Sequence, residues 1–168
     1  DPIPLSGLHG RGTGDLLELQ RLLAAAKRPF VILGGTGWTA QACANMRKFI
    51  EANDLPVGCA FRFQDLFDNR HDHYVGDVGI GINPKLAARV READLIIAIG
   101  TRLGEVTTGG YALFDIPVPK QALIHVYPDP GELGRVYRPT LAIAASSRDF
   151  AAALATLPPI AAPPWATD

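Results

Sequence analysis

The run Leu95-Ile96-Ile97-Ala98-Ile99, closed by Gly100, constrains the fold more than any other stretch of the chain. Its five consecutive apolar side chains leave no polar face for water. Successive side chains of a strand point to opposite sides of the sheet, so this strand must be covered on both. That is the condition of a parallel sheet with helices above and below. Similar strand-like segments occur at Phe30 to Gly34, Pro56 to Phe61 (weakened by Gly58), Gln121 to Tyr127 and Leu141 to Ala144. Helical patterns separate them. The alternation predicts an α/β fold, a doubly wound parallel sheet with right-handed crossovers.

The helices carry their own start and stop signals. Residues 15–27 place Leu16, Leu19, Leu23 and Ala26 on one face. Asp15 is suited to cap that helix, with Glu18 three residues on, while Lys27 and Arg28 suit its negative end and Pro29 stops it. A second helix is expected from about Thr39 to Asn53. Residues 62–82 read as a long polar connection. Asn83-Pro84 opens a further helix that turns Leu86, Val90 and Ala93 inward. Asp129-Pro130 opens a short one. Ser146 with Asp149 marks the start of a closing helix bearing Phe150, Leu154 and Leu157. The Pro-rich stretches at the two ends, residues 1–14 and 158–168, read as linkers to neighbouring domains, leaving 15–157 as the folded unit. The first residue, Asp1 rather than Met, fits a piece cut from a longer polypeptide.

Composition narrows the function classes. The 168 residues are 48% hydrophobic and 20% charged, with a formal net charge of -1, ordinary for a globular domain and lacking the basic excess of a general nucleic-acid binder. No apolar run approaches the roughly 20 residues that span a bilayer. Cys43 and Cys59 have no metal-ligand spacing and read as thiols of a reducing compartment, which places the protein in the cytoplasm.

Few segments are candidates for chemistry. Gly35-Thr36-Gly37-Trp38-Thr39-Ala40 follows a strand and opens a helix, the context in which glycines let backbone N–H groups approach a phosphate. A nicotinamide dinucleotide would also need an acidic residue at the end of the next strand, and Phe61-Arg62-Phe63 stands there instead. The same glycines equally suit a plain tight connection. Gly100-Thr101-Arg102 lies at the same carboxyl edge of the sheet, where Arg102 suits a phosphate, a carboxylate or a neighbouring loop. Asp129 suits a ribose hydroxyl or the cap of the helix after it. His71-Asp72-His73 lacks a third metal ligand at close spacing. His125, in mid-strand, is expected to bond internally. No nucleophile, base and orienting group assemble, so no catalytic residue is assigned.

The order of the motifs resembles the central domain of thiamine diphosphate-dependent enzymes of the acetolactate synthase and benzoylformate decarboxylase type. Lys27 to Gly37 (KRPFVILGGTG) is similar to that domain's opening strand and glycine turn. Asp72 to Gly76 (DHYVG) resembles its loop ending in tyrosine and glycine. Glu92 to Arg102 (EADLIIAIGTR) is similar to the family's ADLLLAVGAR strand, and Gln121 to Gly134 (QALIHVYPDPGELG) to KIIHIDIDPAEIG.

The resemblance implies a three-layer Rossmann-like domain of about six strands, of the NAD/FAD-binding type. It also implies a non-catalytic domain that packs between a pyrimidine-binding and a diphosphate-binding domain of the same chain. The parent would be a homo-oligomeric carboligase or decarboxylase using thiamine diphosphate and Mg2+, neither held by this domain. Some members bind FAD or ADP here, through positions matching Gly34, Gly35, Gly37, Gly100, Arg102 and Asp129. Two departures weigh against flavin and against acetolactate as product. Leu103-Gly104-Glu105-Val106 replaces the family's Phe-Asp-Asp-Arg, and His125-Val126-Tyr127-Pro128-Asp129 loses an acidic group of HIDID.

Overall fold

The structure is a computed structural model. It describes residues 12–35, 38–60, 74–78, 88, 90–101, 122–128 and 139–158. Six parallel strands form one sheet in the order β3-β2-β1-β4-β5-β6, with β1 Pro29–Leu33, β2 Val57–Ala60, β3 Tyr74–Val78, β4 Leu95–Ile99, β5 Ala122–Tyr127 and β6 Leu141–Ala144. This is the doubly wound order expected from the strand–helix alternation, reversing direction between β1 and β4.

The uninterrupted apolar runs occupy the centre. Every residue of β1 and β4 is buried. Their register, Val31 beside Ile97 and Leu33 beside Ile99, sets one set of side chains into a core with Val57, Cys59, Ile124, Val126 and Ile143. Three helices contribute to that core: α1 Gly12–Ala25, α2 Ala40–Asn53 and α3 Ser147–Ala155. Leu19 and Leu23 of α1, Met46 and Ile50 of α2, and Phe150 and Leu154 of α3 are at most 1% exposed. Phe30, Ile32, Ile96, Ala98 and Leu123 point from the opposite face of the sheet and are buried as well.

Of the capping expectations, the one for Ser146 holds and the one for Asp15 does not, and the structure adds Thr39. Ser146 caps α3 by accepting the Asp149 N–H at 3.2 Å, and Thr39 caps α2 by accepting the Ala42 N–H at 3.0 Å. Asp15 does not cap α1. The helix begins at Gly12, which leaves Asp15 in the first turn, where its charge still opposes the positive end of the helix dipole. Glu18 reaches forward to Arg21, whose hydrogen bond holds the exposed Glu18 carboxyl below its usual pKa. Lys27 and Arg28 lie beyond the last turn. Their backbone N–H groups donate to the Asp94 carboxylate at 2.7 and 2.8 Å, so that residue shapes the entry into β1.

The expectation for residues 62–82 is overturned as well. Residues 62–82 are not connection throughout, because Tyr74–Val78 forms the edge strand β3 beside β2. The pairing shifts register between Val57 and Gly58, the irregularity a strand glycine tends to introduce. Residues 88 and 90–92 are helical, and Val90 and Ala93 are buried as expected. Leu86, the histidines at 71 and 73 and the short helix expected after Asp129 lie outside the described residues.

Candidate functional site

Open α/β sheets bind ligands beyond the carboxyl ends of the strands, where the strand order reverses. Here that place lies between the turn after β1 and the turn after β4. Gly34 and Gly35 leave β1, and Gly100 and Thr101 leave β4. The Gly34 N–H donates to the Ile99 carbonyl at 3.1 Å, and the Gly100 N–H to the Val126 carbonyl at 2.9 Å. The ladder thus runs on past the strands and holds both turns side by side.

Both turns require glycine. Gly35 has φ +83° and Gly100 has φ +78°, in the left-handed region that side chains oppose. Space forbids a side chain as well. A β-carbon on Gly35 would fall closer than 3.0 Å to the carbonyl carbon and oxygen of Gly100, and one on Gly100 would collide with the Gly34 oxygen and the Ser147 hydroxyl. The two turns and the amino end of α3 therefore meet at backbone distance.

Three side chains lock this junction. The Trp38 indole N–H donates to the Gly34 carbonyl at 2.8 Å, while the ring packs on the core. This ties the glycine turn to the start of α2. His125, 2% exposed, sits in β5 between Ala98 of β4 and Ala142 of β6, whose small side chains leave room for its ring. Its Nε2 lies 2.7 Å from the Thr101 carbonyl oxygen. A carbonyl only accepts, so Nε2 carries the proton. Ser147, 4% exposed, closes the third side.

Of the six residues expected at this edge, the fold brings Gly34, Gly35 and Gly100 together. Gly37, Arg102 and Asp129 lie outside the described residues. The internal bond expected of His125 is present. The roles of Trp38 and Ser147 were not foreseen. Trp38 stands inside the glycine motif, which was a usable signal. Ser147 is distant in sequence from both turns, and its neighbour Ser146 already accounted for the helix start.

The amino end of α2 is the part of this junction that suits an anion, since the Gly34 and Gly100 N–H groups already donate to the Ile99 and Val126 carbonyls. Gly34, Gly35, Gly100, Thr101 and Ser147 bring no carboxylate, and among the described residues no three of His, Cys, Asp and Glu come together. Nor is any helix among the described residues long and apolar enough to cross a membrane.

Comparison with known proteins agrees with this architecture. An acetolactate synthase isozyme 2 large subunit from Escherichia coli is 28% identical over 126 residues, covering 75% of this chain and 22% of the relative. A probable acetolactate synthase large subunit from Methanocaldococcus jannaschii is 29% identical, covering 93% of this chain and 28% of the relative. A 3D-(3,5/4)-trihydroxycyclohexane-1,2-dione hydrolase from Bacillus cereus is 34% identical over 59% of this chain and 15% of its own length. The chain thus spans less than a third of each of these relatives. The family model for the thiamine pyrophosphate enzyme central domain matches residues 16–154, from the first helix to the last. With that match over most of its length and the doubly wound sheet beneath it, the chain belongs to the thiamine pyrophosphate enzyme central-domain family.

Proposed function

We propose that this domain performs no reaction of its own and serves domain packing and assembly in a larger thiamine diphosphate-dependent enzyme of the carboligase or decarboxylase type. The observation that carries this reading is how the switch-point turns are used. Gly35 and Gly100 are packed against each other, and the Gly34 and Thr101 carbonyls are taken by Trp38 and His125. Groups committed in this way hold a scaffold and are poorly placed to move protons or electrons. In this reading the folded unit expected over 15–157 extends back to Gly12, where α1 begins, and the residues on either side of it are linkers. The pyrimidine- and diphosphate-binding domains belong to the same polypeptide, and the parent enzyme is a cytoplasmic homo-oligomer.

Thiamine diphosphate and Mg2+ are then held elsewhere in the parent. Mg2+ takes oxygen ligands, usually one or two carboxylates beside the phosphates. The described residues of the junction supply no carboxylate, and no step is assigned to either group here. The test is direct. The 168-residue chain is mixed with thiamine diphosphate and Mg2+ and assayed for acetolactate formation and for 2-oxo acid decarboxylation, with calorimetry for cofactor binding. No turnover and no binding heat are expected. Turnover above the blank would overturn the proposal.

A second reading is favoured by the convergence of glycine turns at the amino end of α2, which suits the diphosphate of FAD or the phosphates of ADP. Gly34, Gly35, Gly37, Gly100, Arg102 and Asp129 are the residues it would use. Flavin or ADP at millimolar concentration would then raise the melting temperature of the domain. No rise with either ligand discards this reading and leaves the first intact.

A further inference from the structure

We draw no further inference here: the strongest candidate, the junction of Gly35, Gly100 and the buried Ser147 at the amino end of α3, belongs to the switch-point site already described and carries no second observation that points to a ligand of its own.

Discussion

The Gly100 backbone lies against Gly35 and leaves no room for a side chain there, while the Gly34 carbonyl does the same to Gly100. A β-carbon on either residue would lie within 3.0 Å of backbone atoms from the facing turn. Both also adopt positive φ. The doubly wound order places their turns together at the point where the sheet reverses.

Replacing Gly100 with alanine is therefore costly twice over. The left-handed backbone costs an L-residue about 1–2 kcal/mol, and forcing a methyl group into the junction adds about 1–3 kcal/mol. A loss on the order of 3 kcal/mol is expected in urea unfolding of Gly100→Ala. Adding Ser147→Gly relieves only one of the two collisions, because the Gly34 carbonyl stays in place. The double variant should remain far below wild type. Full recovery would show that the backbone contact is unimportant.

Asp94 organises the turn between α1 and β1 from a distant part of the sequence. Its two carboxylate oxygens accept the N–H groups of Lys27 and Arg28, and its own N–H donates to the Arg28 carbonyl at 3.1 Å. Asp94→Ala removes two charge-assisted bonds at an exposed site, where water replaces part of them. A loss of about 1–2 kcal/mol is expected from denaturant midpoints. Asp94→Asn retains one acceptor oxygen and should fall between the two. An asparagine variant less stable than the alanine variant would contradict the clamp.

The His125 ring should exist as the Nε2–H tautomer at neutral pH, since its partner is a carbonyl. Long-range nitrogen–proton correlation NMR distinguishes the two tautomers directly. His125→Phe keeps a ring of comparable bulk but leaves the Thr101 carbonyl without its donor, for a cost of about 1–3 kcal/mol. A signal typical of the Nδ1–H form would refute the assigned bond.

Helix α3 should matter through one face. Phe150 is 0% exposed, and Phe150→Ala is expected to cost about 3–5 kcal/mol. Leu17 on α1 is 62% exposed, so Leu17→Ala should shift stability by no more than about 0.5 kcal/mol. Calorimetric melting of both variants checks the contrast. Equal losses would mean that Leu17 is covered in solution.

Local chemistry made much of this protein legible from residues alone. Continuous apolar runs such as Leu95 to Ile99 demand burial on both faces, and their alternation with helical patterns is what made the parallel sheet legible. Ser146 is read as a helix start because a cap acts on an N–H only three residues away. The motif order of Lys27 to Gly37 and Glu92 to Arg102 also pointed to the family that the comparison established. Strand β3 escaped notice because an edge strand pairs on one side only and tolerates Gly76 and Asp77. The first turn of α1 escaped because Gly12 and Gly14 carry no helical signal. Only the tertiary structure could join Gly35 to Gly100, Asp94 to Lys27, or His125 to Thr101. Those contacts link residues tens of positions apart, and strand order, not local propensity, decides which turns become neighbours.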